Sequence, residues 1–255
     1  MNFWEDIEPL TSDGLEAAVA RAYDVFGAYK LSGTITYCDC PVCMTDGVAR
    51  ALSTTPLKEI PSKVLAEYTN SAHGHDKRTE REFKYFLPRY LELIAQCDPP
   101  TDIGLEVCLT RLDGYRASWP AAEIEAVDGF FDAFVGTSIH QLLLVEWPVG
   151  LRLEFDMGEV LGMVALSGGD LDRVLAVVDK SPDPEAAVHL ASLRDDVEVR
   201  NGVPHYTNAH LDTYPEAKRR IGEWLMRDVV DDRIIAAHDA LADPAYDAVL
   251  NLAFK

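Results

Sequence analysis

The chain has 255 residues, 48 % hydrophobic and 26 % charged, a globular balance long enough to bury a sizeable core. Its 43 acidic and 23 basic side chains give a net charge of −20, a field that repels nucleic acid and anionic membranes and attracts basic surfaces. The nearest approach to a basic patch, Lys77-Arg78 through Arg81 to Lys84, is interleaved with Glu80 and Glu82, so nucleic acid is not an expected ligand.

Met1 to Asp6 show no basic stretch leading into an apolar one, so no signal peptide is expected. No apolar run approaches the ~18 residues that a membrane helix needs. Three of the five cysteines crowd between Cys38 and Cys43, unlike a secreted disulfide framework. A cytoplasmic protein with reduced thiols is the expectation.

Ser12 is a good helix cap, and Leu15, Ala18, Val19, Ala22, Tyr23 and Phe26 behind it form one apolar stripe of helical period. Phe83, Phe86, Leu87, Tyr90, Leu91 and Ile94 repeat that spacing around Pro88, which predicts either a kink there or a new helix starting with Pro88 in its first turn. Ile124, Val127, Phe131, Phe134 and Val135 make a third stripe. Leu151 to Phe155 alternates apolar and polar residues, a pattern too short to decide between strand and helix. Pro120, Pro184, Pro215 and Pro244 each precede a periodic stretch, as proline does at a helix start. Asp170 and Asp183 read as caps, and Ile221, Leu225 and Val229 as a fourth stripe. From Asp170 onward the chain reads as helix, short loop, helix.

The expected fold is therefore all-α: an irregular helical bundle or a solenoid-like stack of antiparallel helix pairs. It is expected as a single domain over 1–255, with any subdivision, 1–147 and 151–255, at Trp147-Pro148-Val149-Gly150. The helix starts led by Pro184, Pro215 and Pro244 recur about every 30 residues, yet the residues between them match no named repeat.

Cys40-Pro41-Val42-Cys43 has the spacing that lets two thiolates converge on one metal from a tight turn, and Cys38 offers a third. The stretch His73-Gly74-His75-Asp76 supplies a fourth donor, so Cys38, Cys40, Cys43 and His73 (or His75) form a complete Cys₃His set for structural zinc. Two other readings stay open: packed thiols without metal, and a redox dithiol. No second CxxC supports the metal set, and no βαβ context supports a thioredoxin-like redox role. Cys97 and Cys108 fall in apparent helices and read as small buried hydrophobes.

The combination Cys40-Pro41-Val42-Cys43-Met44, Leu52 to Leu57 (LSTTPL), Tyr68 to Gly74 (YTNSAHG) and Tyr85 to Leu93 (YFLPRYLEL) resembles a group of uncharacterised proteins of Gram-negative bacteria. The resemblance is clearest from Cys38 to Trp119. It implies bacterial origin and a compact helical fold, and brings neither an activity nor catalytic residues.

No Walker-type phosphate loop, GxSxG elbow or HExxH zinc helix occurs, so no catalytic residue is assigned. Ser167-Gly168-Gly169-Asp170 would present its amides to an anion only against the charge of Asp170. His140, His189 and His238 stand alone in helical patterns, and His205 and His210 border a loop. The carboxylates of Asp228 to Asp232 and of Arg194-Asp195-Asp196 read as solvated connections. The functional expectation is a non-catalytic acidic protein that neutralises or regulates a basic partner, as bacterial toxin-immunity proteins do. The alternative is a zinc-binding regulator or enzyme built on Cys38, Cys40 and Cys43.

Overall fold

The computed structural model describes Trp4, residues 7–38, Cys40 and residues 43–72, 76–148 and 150–254, and is 63 % helix and 6 % strand. The expectation of a mainly helical chain holds, with two small antiparallel hairpins added to it. Among the described residues no helix is long and apolar enough to cross a membrane. The chain divides into two compact units, residues 1–134 and 135–255, and Trp147 pairs with Gly150 at the end of a hairpin in the second.

The first unit contains α1 (Asp13–Phe26), α2 (Asp46–Thr54), α3 (Ser62–Asn70), α4 (Lys77–Ala95), α5 (Tyr115–Ser118) and the start of α6 (Ala121–Ser138). Ser12 caps α1 as expected, its hydroxyl accepting from the Leu15 amide at 3.1 Å, and Leu15, Ala22 and Phe26 are buried. Helix α4 opens with a capping box between Asp76 and Thr79. It then runs unbroken through Pro88, so the proline lies inside one helix rather than at the start of another. The reason is burial. A proline inside a helix costs about 3 kcal/mol, whereas each of Phe83, Phe86, Leu87, Tyr90, Leu91 and Ile94, all at most 1 % exposed, gains about 1.5–3 kcal/mol on burial.

Polar side chains fasten α4 to its neighbours. Lys84, buried, places its ammonium 2.7 Å from Glu80 and 2.9 Å from Glu123 of α6, and 4.1 Å from the centre of the Trp119 ring. Tyr29, just past α1, donates to the other oxygen of Glu123 at 2.6 Å. Farther along α4, Tyr23 of α1 donates to Glu92 at 2.6 Å, and Arg89 pairs with the same carboxylate oxygen at 2.7 Å.

The second unit begins in α6 and continues through β1 (Leu144–Trp147), β2 (Gly150–Leu153), α7 (Met157–Leu166), α8 (Leu171–Lys180) and α9 (Glu185–Asp195). It ends with β3 (Val197–Arg200), β4 (Val203–Tyr206), α10 (Pro215–Leu225), α11 (Asp228–Leu241) and α12 (Pro244–Leu250). Pro215 and Pro244 take the first helical positions and Pro184 the cap of α9, as the sequence implies. Asp170 caps α8 through the Arg173 amide, while Asp183 exchanges hydrogen bonds with Ser181 and caps nothing. The alternating stretch from Leu151 resolves as strand, with Leu144 opposite Leu153.

Three expectations for this unit are corrected. The run from Asp170 onward is not helix after helix, because Asn201-Gly202 turns β3 back on β4. Both turn residues have positive φ, 53° and 77°, the requirement that makes Asn-Gly a strong hairpin signal. The fourth stripe breaks at Met226-Arg227: Ile221 and Leu225 are buried on α10, whereas Val229 starts a new helix with a different phase and is 51 % exposed. Asp228 to Asp232 open α11 instead of forming a solvated connection, and Asp231 there pairs with Arg194 of α9. His189 of α9 is buried against the edge of Phe155, and burial lowers its pKa to about 4, so it is neutral in the core.

Helix α10 lies so close to β4 that a methyl group on Gly222 would sit 2.8 Å from the carbonyl carbon and oxygen of Pro204 and 2.9 Å from the His205 amide nitrogen. Backbone cannot yield as a flexible side chain does. Gly222→Ala is therefore expected to lower stability by about 1–3 kcal/mol, read as a lower urea midpoint. A wild-type midpoint would contradict this packing.

Candidate metal centre

The Cys38, Cys40 and Cys43 sulfurs lie within 4.8 Å of one another, and Cys40 Sγ is 3.2 Å from Cys43 Sγ. All three thiols are half-buried. Among the described residues no His or carboxylate joins the group. His73 and His75, the fourth donors expected from the sequence, lie outside the described residues, as does Asp39.

The chain on either side of the cysteines is held firmly. Upstream, Ile35 is buried and Thr36 points the other way onto α4. The Thr36 amide donates to Glu82 Oε2 at 2.9 Å and its hydroxyl donates to Glu82 Oε1 at 2.9 Å. Arg78 Nε completes the arrangement, donating to Glu82 Oε1 at 3.1 Å while its Nη2 donates to the Thr34 carbonyl. Downstream, Met44 is buried and Thr45 caps α2, accepting from the Val48 amide at 3.3 Å. Tyr37 donates to Asp46, so the residues flanking the cysteine loop clasp each other across it. The Cys38 thiol sits above its ordinary pKa. A hydrogen bond from the Cys40 backbone lowers it, and the Cys40 and Cys43 sulfurs together with desolvation raise it by more.

Cys97 and Cys108 are buried, as expected, but outside the regular helices. Cys97 follows α4 with φ 56°, and Cys108 ends a short 3₁₀ turn. Burial pushes the Cys97 thiol up to about 11, which keeps it protonated and inert. The other histidines have local roles or settings. His238 Nδ1 lies 2.7 Å from Asp247, His205 is on β4, and His210 is in a 3₁₀ turn. In the Ser167 to Asp170 turn the amides of Ser167, Gly168 and Gly169 donate to the carbonyls of Met163, Ala165 and Val164, and Asp170 caps α8.

The charge has no single pole. The first unit carries 22 acidic and 12 basic side chains and the second 21 and 11, a net −10 for each. Within the basic run on α4, Arg78 pairs with Glu82 and Lys84 with Glu80 and Glu123, while Lys77 and Arg81 are exposed. In the second unit Arg194, Lys218, Arg219, Arg220 and Arg227 likewise pair with carboxylates. The residual charge that faces solvent is therefore acidic.

Glu82 is the residue that reading the sequence for metal ligands overlooks. Its signal is positional: it falls three residues after Thr79 and four before Phe86, on the buried face of α4, where a carboxylate needs donors. Comparison with protein-family models, with curated proteins and with solved structures yields no match.

Glu82→Gln replaces two accepting oxygens with one and sets an amide donor against Thr36 or Arg78. The expected loss is about 1–3 kcal/mol of unfolding free energy, measured by urea denaturation. Unchanged stability would show that the carboxylate does not hold this segment.

Proposed function

We propose that this chain is a non-catalytic binding protein whose Cys38–Cys40–Cys43 loop holds a structural zinc ion. The convergence of the three sulfurs within 4.8 Å carries the reading. Zinc–thiolate bonds of about 2.3 Å at tetrahedral angles put sulfurs ~3.8 Å apart, so the loop needs shifts of only about 1 Å to close on the ion. His73 or His75 is the proposed fourth ligand. His75 immediately precedes in sequence Asp76, the cap of the helix whose Arg78 and Glu82 hold residues 34–36. A closed four-ligand site stabilises a fold and leaves no position for substrate.

The protein as purified is expected to contain one zinc per chain by elemental analysis, and Cys40→Ser to contain little or none. Stripping the metal with a chelator lowers the unfolding temperature of the wild type and leaves that of Cys40→Ser where it was. A metal-free wild type that gains no stability on adding zinc would end the proposal.

A second reading concerns the partner. The net −10 on each unit supports a protein that meets a basic surface, and a stack of antiparallel helix pairs would give that contact breadth. Bacterial immunity proteins that neutralise cationic effectors are a class of this chemistry. The expected result is a complex with the basic product of a neighbouring gene whose association slows at least tenfold as salt rises from low to physiological levels. Failure to bind that product, or to protect cells expressing it, contradicts this reading and leaves the zinc site standing.

A further inference from the structure

We propose that Cys40 and Cys43 are a site of reversible oxidation by hydroperoxides, closing to a disulfide that excludes the metal. The oxidation itself stands on geometry alone; the loss of metal rests on the zinc reading above.

Four observations converge on this pair. The two sulfurs are 3.2 Å apart and a disulfide bond is about 2.05 Å long, so closure asks for a movement of about 1.2 Å. Both thiols are half-buried, open enough for a small oxidant. Cys97 and Cys108 are 3 % and 1 % exposed, which protects them from the same reagent. The clasp between Tyr37 and Asp46 and the anchorage of Thr36 on Glu82 hold the ends of the loop, so a bond within it need not unfold its surroundings.

The chemistry balances with a hydroperoxide as oxidant. One thiolate of the pair attacks a peroxide oxygen, the O–O bond breaks, and the sulfur becomes a sulfenic acid while hydroxide leaves and takes up a proton. The second thiolate attacks the sulfenic sulfur, the S–O bond breaks, and the oxygen leaves as water. For hydrogen peroxide, two thiols and one peroxide give one disulfide and two waters. With zinc bound, the ion loses two of its three thiolate donors, and Cys38 with one histidine is too small a set to retain it. A dithiol reductant reverses the bond by exchange.

The test treats the full-length protein with hydrogen peroxide, once after chelator stripping and once zinc-loaded. The expected result in both arms is a mass lower by two hydrogens and three of the five cysteines still open to alkylation after denaturation. A single crosslinked peptide should join Cys40 to Cys43, and dithiothreitol should restore the starting mass. The zinc-loaded arm also releases its metal in step with the mass change. Cys40→Ser and Cys43→Ser abolish the crosslink, and Cys38→Ser keeps it. A folded far-ultraviolet spectrum for each variant guards against reading misfolding as chemistry. A crosslink through Cys38, oxygen added to the cysteines without a crosslink, or no mass change would each overturn the proposal. A crosslink in a protein that never binds zinc would support the oxidation and defeat the metal reading, and zinc held without a crosslink would do the reverse.

Discussion

One buried carboxylate sets where the cysteine loop sits. Glu82 projects from α4 into the first unit and is met by three donors, the amide and hydroxyl of Thr36 and the guanidinium of Arg78. Removing a carboxylate from water costs several kcal/mol, and that cost is offset only if the hydrogen bonds are all made. Any shift of residues 34–37 away from α4 leaves the charge unsatisfied. The segment that leads directly into Cys38 is thus fixed by a penalty for moving. The opposite end is fixed by Met44, the Thr45 cap and the bond from Tyr37 to Asp46. Three sulfurs converge because both approaches to them are held.

That arrangement depends in turn on α4. Its apolar face anchors the helix in the core, and Lys84 ties it to Glu123, with Tyr29 bonded to the same carboxylate. Farther along α6, Asp128 is buried and takes hydrogen bonds from both Tyr115 and Arg116. Arg78, Lys84 and Arg116 pair with buried carboxylates, and across the unit acidic side chains outnumber basic ones. The net acidic charge of the unit is what motivates the proposed cationic partner. The internal ion pairs and the outward charge are two results of one distribution.

Local chemistry was legible in the sequence, and distant partnerships were not. Ser12, Asp170 and the prolines at 215 and 244 announce helix starts because a cap acts within a few residues. The spacing of the cysteines suggests that they converge, though not what holds the loop on either side. Asn201-Gly202 was equally local and equally informative, but the apolar stripes on either side drew the reading toward helices. Val229 keeps the spacing of Ile221 and Leu225 only on paper, since a break in the helix resets the phase. The role of Glu82 could be suspected from its place on a buried face. Its partner Thr36, 46 residues away, could not be named, because nothing in a linear pattern says which donors a fold will bring to a carboxylate.

The dependence of the proposed metal site on Glu82 is open to direct measurement. Zinc affinity would be determined by competition with a chromophoric chelator for the wild type, for Glu82→Gln and for Gly222→Ala in the other unit. Glu82 touches no cysteine, so any change reports the positioning of the loop. An outer partner that orients a ligand set contributes about tenfold or more to affinity. Glu82→Gln should therefore bind zinc about tenfold more weakly, with Gly222→Ala indistinguishable from wild type. Equal affinities in all three proteins would contradict the claim that this carboxylate places the cysteines.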